Sequence, residues 1–149
     1  MGGAERPLTA ARAGEMAAAS SSALALGVIL SAQLLVALNV SIVNVALPSI
    51  EGDLDLSAAC TQWLVTAYTM TFGGLLIVGA RAGDLLGRRR LLLTGLIVFS
   101  IASWIGAPSR SGGILVATRA AQGVGAAVIA PTALALLATT FPEGAARDG

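Results

Sequence analysis

Four long stretches of uncharged, mostly apolar residues constrain the fold of this chain more than any other feature. The first, residues 24–47, contains 24 residues without a charge. The others cover residues 61–80, 91–107 and 113–139, where Arg119 is the one charged side chain. A helix needs about 20 such residues to cross the hydrocarbon core of a bilayer. The sequence therefore predicts an all-α integral membrane protein with four transmembrane helices within residues 23–140.

The two ends of the chain lack stretches of this kind. Residues 1–22 are rich in Ala, Ser and Gly with scattered charges, and we predict a mobile cytoplasmic tail there. Residues 141–149 are predicted to be a truncated cytoplasmic end. A cleavable signal peptide is the alternative for the N-terminal segment. Its apolar core would have only about 7–15 residues, which is shorter than the first stretch.

The placement of arginines predicts the orientation of the helices. Residues 81–90, after the second stretch, hold four arginines, whereas residues 51–55, after the first, hold three carboxylates and no basic residue. Positively charged loops stay in the cytoplasm, so both chain ends are expected there. Every basic residue is Arg and none is Lys, a bias typical of GC-rich bacterial genomes. We therefore expect a multi-pass protein of a bacterial inner membrane.

Composition excludes several classes of function. Charged residues make up 11% of the chain, against about 25% in soluble domains. The chain has no His, and Cys60 is its one cysteine, so an internal disulfide, a Ser-His-Asp triad and a His-based metal site are impossible. Gly123 and Gly125 suggest a nucleotide loop, but no strand precedes them. We predict no enzyme activity, no cofactor, no metal and no nucleic-acid partner.

Helix 1 carries many polar side chains for a membrane span: Ser31, Gln33, Asn39, Ser41 and Asn44. At 100° per residue, Gln33, Ser41 and Asn44 share one face within about 80°, while Asn39 points about 140° away from Asn44. An amide facing lipid costs several kcal/mol, so both sides should meet protein or water. Two interpretations remain open, namely hydrogen bonds between helices or a polar lining along a substrate path.

Arg119 is the one charged residue inside a predicted span, about 10 Å along helix 4 from Gly112. At this depth its side chain can extend to the membrane surface or point inward and be paired. The same helix face carries Gln122, Gly123 and Ala126, and small residues let a second helix approach closely. Ionisable residues within spans are candidates for function. The sequence therefore favours an inward-pointing, paired Arg119.

The junction between helices 2 and 3 reads Gly-Ala-Arg-Ala-Gly-Asp-Leu-Leu-Gly-Arg-Arg-Arg over residues 79–90. Asp84 and Arg88 are spaced to form an ion pair at i and i+4 if they share a helical turn. Gly83 and Gly87 allow either a tight turn or the close packing of another helix. A run of arginines would by itself serve as a topology signal. A topology signal needs only the arginines, so it does not explain the specific arrangement of Gly, Asp, Gly and Arg.

This junction resembles the cytoplasmic signature of the major facilitator superfamily, Gly-x-Leu-Ala-Asp-Arg-x-Gly-Arg-Arg. Residues 39–50, Asn-Val-Ser-Ile-Val-Asn-Val-Ala-Leu-Pro-Ser-Ile, resemble the helix 1 signature of its fourteen-helix drug:proton antiporters. Residues 119–127, Arg-Ala-Ala-Gln-Gly-Val-Gly-Ala-Ala, resemble their helix 4 signature. The positions of Gln62, Trp63 and Tyr68 also match the start of helix 2 in such transporters. The resemblance covers about residues 34–143 without a gap.

The resemblance implies proton-coupled efflux of drugs or other small organic molecules. By position, Arg119 and Gln122 would take part in proton coupling. Three residues of the junction would belong to a cytoplasmic gate: Asp84, Gly87 and Arg88. Four polar residues of helix 1 would line the central cavity: Gln33, Asn39, Ser41 and Asn44.

The chain departs from the family pattern in three respects. Asn39 stands where helix 1 of the family has Asp, and an amide cannot titrate. Ala80 stands where the junction signature has Gly, which would place a methyl group at a crowded contact. Superfamily transporters have two six-helix halves, whereas this chain stops after helix 4. We therefore expect an N-terminal part that is inactive alone, with the missing remainder, membrane lipid, protons and a small-molecule substrate as partners.

Two other functions fit four membrane spans. One is a self-contained small multidrug transporter that works as an oligomer, and the other is a membrane protein that only mediates interactions. Small transporters of this kind depend on a Glu embedded in their first helix. None of the four predicted spans contains Glu, which favours the superfamily interpretation.

Overall fold

A computed structural model describes residues 5–140 of the chain. Within this part it contains four helices and no strand: α1 (Glu5–Leu54), α2 (Ala58–Leu86), α3 (Arg88–Gly106) and α4 (Gly112–Thr140). Each is long and apolar enough to span a membrane, with spans at Ala23–Leu54, Ala58–Leu86, Arg88–Gly106 and Gly112–Ala138. The predicted all-α membrane fold with four transmembrane helices is confirmed.

α1 is longer at both ends than the predicted span of residues 24–47. It begins at Glu5, so most of the segment predicted to be a mobile tail is helical, in keeping with its many alanines, the strongest helix formers. It also continues through Pro48 to Leu54, because a proline removes a single helical hydrogen bond and membrane helices tolerate this. Residues 1–4 of the predicted tail, and the predicted truncated end at 141–149, lie outside the described residues.

A single residue, Gly87, connects α2 to α3. Its φ is 89° and its ψ is 121°, a combination that residues with a Cβ rarely adopt. The predicted tight turn is therefore present at Gly87. Gly83 is buried against α4, but a Cβ there would lie 3.6 Å from the Thr132 hydroxyl, an ordinary van der Waals contact. The tight-turn interpretation therefore holds for Gly87, whereas the contacts of Gly83 do not require a glycine.

α4 is the central helix of the bundle. Of its most apolar segment 44% is buried, against 11% for α1. Small residues make this burial possible: Gly125 of α4 meets Gly95 of α3 so closely that a Cβ on Gly125 would lie 2.9 Å from the Gly95 carbonyl oxygen. Ala126 and Ala133, on the Arg119 face, are fully buried. The predicted close approach of other helices to this face is confirmed.

The outer faces of the helices remain apolar. Large side chains such as Leu30, Ile97 and Leu134 are more than half exposed, as expected for surfaces that meet lipid or further helices rather than water. The described core is correspondingly small and lies around α4. Its members come from all four helices: Ile29, Ala32, Tyr68, Leu92, Phe99, Ala126, Ile129 and Ala133.

The crowded contact that the sequence places at Ala80 lies one residue earlier. Ala80 is exposed in this chain, whereas Gly79 is buried. A Cβ on Gly79 would collide with the backbone carbonyl group of Ala127 in α4. The prediction about Ala80 was wrong because α2 turns that residue away from α4, and Gly79 supplies the close approach instead.

We expect Gly79→Ala to lower the free energy of unfolding by about 1–3 kcal/mol, since the added methyl group can only be accommodated by moving α2 away from α4. Gly74→Ala is the matched control on the same helix, because a Cβ there has no neighbour within 4 Å. It should be neutral or gain up to about 1 kcal/mol in helix propensity. Reversible unfolding in mixed detergent measures the free energy of unfolding of both variants. Equal stability of the two variants would disprove the proposed packing.

Candidate functional site: a buried arginine network

Arg119 lies inside the bundle, in the second turn of α4, with 8% of its surface exposed. Its burial follows from the helix face that it occupies, where small residues bring α2 against α4. At Gly123, one turn further, a Cβ would lie 2.6 Å from the Tyr68 carbonyl oxygen of α2. The prediction that Arg119 points inward rather than to the membrane surface is confirmed.

The guanidinium group of Arg119 donates hydrogen bonds to three helices. Its Nε donates to the carbonyl oxygen of Leu64 on α2, at 3.3 Å. Its Nη1 donates to Asn39 Oδ1 on α1, at 2.5 Å, and to Gln122 Oε1 on its own helix, at 2.7 Å. A planar group with several N–H donors suits such an arrangement, which a single ammonium nitrogen cannot reproduce. Arg119 therefore ties α1, α2 and α4 together.

Tyr68 completes the surroundings of the cation. The Arg119 Cζ atom lies 4.5 Å from the centre of the Tyr68 ring, a cation–π distance. The ring in turn stacks on Phe72, with 5.9 Å between centroids. Sequence reasoning noted Tyr68 only for its family position and missed its contact with Arg119. No signal in the sequence indicates it, because the contact depends on how α2 packs against α4.

Gln122 extends the network to α3. Its Nε2 donates to Ser103 Oγ at 2.8 Å, and Ser103 Oγ donates to the Phe99 carbonyl oxygen at 2.8 Å. No role for Ser103 was predicted from the sequence, because a lone serine in an apolar helix usually bonds its own backbone. Only the packing of α3 on α4 shows that this hydroxyl also accepts from Gln122.

All hydrogen-bond partners of Arg119 are electrically neutral. Asn39 offers an amide oxygen where the family signature has a carboxylate, and the others are a second amide and a backbone carbonyl. Among the described residues, the charge of the guanidinium is therefore solvated by dipoles and a ring face, and no ion pair neutralises it. Two hydroxyls of this part of the chain, those of Tyr68 and Thr132, are buried without a hydrogen-bond partner.

The residues predicted to form a gate meet at the α2–α3 junction. Arg88 Nη2 lies 3.2 Å from Asp84 Oδ1, which confirms the predicted ion pair although Gly87 separates the two helices. Arg88 Nη1 also donates to the Ala135 carbonyl oxygen of α4 at 3.3 Å. The exposed fraction of the side chain is 62% for Asp84 and 36% for Arg88. Such an exposed ion pair contributes little to stability.

The polar face of helix 1 divides into two parts. Gln33 Nε2 donates to the Ala130 carbonyl oxygen of α4 at 3.3 Å, which fits the interhelical interpretation. Ser41 and Asn44 are exposed, and Ser41 bonds back to the Ala37 carbonyl oxygen at 3.5 Å. Asn39, on the other side, reaches Arg119.

The architecture and this network define a multi-pass membrane protein with a polar centre built on one arginine. Residues 29–148 match the family described as the Major Facilitator Superfamily. The chain belongs to this superfamily, whose members are transporters.

Similar bacterial proteins are named for drug export and resistance. The puromycin resistance protein of Streptomyces alboniger is 50% identical over 120 residues, which cover 80% of this chain and 24% of that protein. The cephamycin export protein of Amycolatopsis lactamdurans is 44% identical over 138 residues, 93% of this chain and 28% of that protein. A multidrug efflux pump of Mycolicibacterium smegmatis is 37% identical over 123 residues, which cover 83% of this chain and 24% of that protein. The chain thus spans about a quarter of the length of these relatives.

Proposed function

We propose that this chain forms the N-terminal part of a proton-coupled exporter of drugs or other small organic molecules in a bacterial inner membrane. The observation that carries the proposal is the buried Arg119, held by α1, α2 and its own helix. A charge inside a membrane span costs about 2.5–3.5 kcal/mol on insertion scales. A purely structural contact does not require that cost, whereas charge coupling does. The export and resistance names of the relatives support the choice of substrate class.

In this proposal Arg119 and Gln122 serve proton coupling. A carboxylate that approaches a fixed cation loses its proton more readily. Its approach to Arg119 would therefore release a proton, and its withdrawal would bind one. Asn39 cannot be that carboxylate, because its amide does not titrate. Among the residues whose side chains the structure describes, the carboxylates lie near helix ends or in connections, at Glu51, Asp53, Asp55 and Asp84. The proton-binding carboxylate would therefore come from the remainder of the transporter.

The other site residues take the following roles. Asp84, Gly87 and Arg88 would form the cytoplasmic gate, since they lie together at a sharp turn held against α4. The exposed amide and hydroxyl of Asn44 and Ser41 would line the central cavity, because polar side chains in a membrane span need water or protein beside them. Gln33 and Asn39 would reach this cavity from their contacts with α4.

The chain alone is not expected to export. Substrate lies between the two halves of such transporters, and this chain spans about a quarter of its relatives. Expression in an efflux-deficient strain should leave dye accumulation unchanged, with immunoblotting to confirm insertion and the complete transporter as positive control. Energy-dependent extrusion by the chain alone would contradict the proposal and favour a self-contained oligomeric transporter.

The orientation can be tested by labelling intact cells with a membrane-impermeant thiol reagent. Cys60 is the one native cysteine, so a Cys60→Ser background removes it. We expect a cysteine placed at Asp53 to be labelled and one placed at Arg89 to be protected until the membrane is permeabilised, because the basic junction faces the cytoplasm. The opposite labelling pattern would place the termini outside and remove the basis for a cytoplasmic gate.

A further inference from the structure

The hydrogen bonds of Arg119 leave one of its nitrogens unused. Its Nε and Nη1 donate to Leu64, Asn39 and Gln122, whereas Nη2 donates to no atom of the described residues. Both N–H groups of Nη2 are thus available. Since the neighbours are neutral, the positive charge is available as well. A buried cation in this state attracts an anionic group, whose charge-assisted hydrogen bonds are stronger than neutral ones.

Arg119 and Gln122 also line a cavity of about 350 Å³. Its walls come from α1, α2, α3 and α4, at the end of the bundle where α1 ends and α4 begins. Most of the wall is apolar, including Val43, Ile50 and Leu115. The volume falls in the range of about 300–1,000 Å³ typical of small-molecule sites, which combine apolar walls with few polar groups.

We infer that this cavity is a binding site for a small organic carboxylate, with its anionic group on Arg119 Nη2 and its apolar body against the walls from α1 and α4. A small hydrated ion such as chloride gains nothing from the apolar walls, whereas an aromatic or branched carboxylate buries its hydrocarbon part there. Glu51, Asp53 and Asp55 stand near this end of the bundle, but none of them lines the cavity. They leave Arg119 without a competing carboxylate at the site.

Asn39 determines whether the positive charge of Arg119 is neutralised within the chain. An aspartate at this position would place a carboxylate against Nη1, in the position of the amide oxygen that lies 2.5 Å away, and would neutralise the cation internally. The amide holds the guanidinium in place without doing so. Asn39→Asp is therefore expected to weaken the binding of an added carboxylate at least about tenfold, while the bundle remains folded.

The test uses this chain in lipid nanodiscs and follows the thermal unfolding midpoint at constant ionic strength. Benzoate should raise the midpoint saturably, because a ligand that binds only the folded state stabilises it. Benzamide has the same shape without the charge, and chloride has the charge without the apolar body. Both should raise the unfolding midpoint only at concentrations at least about tenfold higher than benzoate.

Three variants complete the experiment. Arg119→Gln should abolish the benzoate effect, and Asn39→Asp provides the same information with the arginine retained, should Arg119→Gln fail to fold. Arg110→Gln removes an exposed arginine outside the cavity and should bind benzoate like the parent chain. The inference is overturned if benzamide or chloride matches benzoate, if Asn39→Asp binds benzoate unchanged, or if Arg110→Gln loses binding. None of these outcomes bears on proton coupling, which is measured by transport.

Discussion

Arg119→Lys should reduce proton-driven transport by about 10- to 100-fold in the complete transporter, with the amount of protein in the membrane unchanged. Lysine keeps the charge, but its single nitrogen cannot reach the Leu64 carbonyl, Asn39 Oδ1 and Gln122 Oε1 with the geometry of the guanidinium. It also loses the flat contact with the Tyr68 ring. Initial rates of substrate transport, normalised to membrane protein, measure the effect.

Arg110→Lys is the control for this substitution. Arg110 is exposed between α3 and α4, where lysine can replace arginine without losing directed bonds, so its transport should match that of the parent protein. Near-native transport by Arg119→Lys would reduce Arg119 to an anchoring or topology residue, since a lysine would serve equally well in that role.

Gly87→Val should be the most damaging substitution at the α2–α3 junction. Gly87 has a φ of 89°, and a β-branched residue held in such a conformation costs about 1–3 kcal/mol. Relief of that strain requires the turn to change, which would separate Arg88 from Asp84 and from the Ala135 carbonyl oxygen. In the complete transporter, we expect Gly87→Val to lower the stability in detergent and to abolish transport.

Gly73→Val serves as the matched control for the junction. Gly73 is exposed and helical, and a Cβ there has no neighbour within 4 Å. Valine should therefore change the free energy of unfolding by no more than about 0.5 kcal/mol. If the two variants unfold at the same detergent concentration, the turn at Gly87 is not the constraint that the structure indicates.

The sequence predicted the architecture because membrane spans depend on local composition. Four apolar stretches, three without a charge and one with Arg119 alone, identify four helices, and the small residues around Arg119 identify the face that packs inward. The pairing of Asp84 with Arg88 also follows from their closeness in sequence, although Gly87 breaks the helical turn that the spacing argument assumed. These inferences need no knowledge of how distant segments meet, which is why they agree with the structure.

The contacts that the sequence missed all depend on helix packing. Tyr68 and Ser103 join the arginine network only because α2 and α3 contact α4 at particular positions along its axis. The choice between Gly79 and Ala80 as the crowded position depends on the rotation of α2 about its axis, which shifts by 100° per residue. The start of α1 was missed for a different reason, since its alanine-rich segment is helical without being apolar enough to be recognised as a span.

Asn39 shows how sequence and structure complement each other. The sequence shows that the residue cannot titrate, and the structure shows that its amide oxygen nonetheless binds Arg119 at 2.5 Å. The contact between helices 1 and 4 is therefore present without a carboxylate, and it does not change with proton binding at this position. The proposed proton coupling therefore needs a titrating partner other than Asn39.

The most direct test of proton-coupled export uses everted membrane vesicles that contain the complete transporter and a fluorescent dye substrate. An imposed gradient, acidic inside, should drive dye uptake, and a protonophore should abolish it while membrane integrity is retained. Vesicles with Arg119→Lys should show little gradient-driven uptake at the same protein level. Dye uptake that survives collapse of the proton gradient, or that requires ATP instead, would contradict the account.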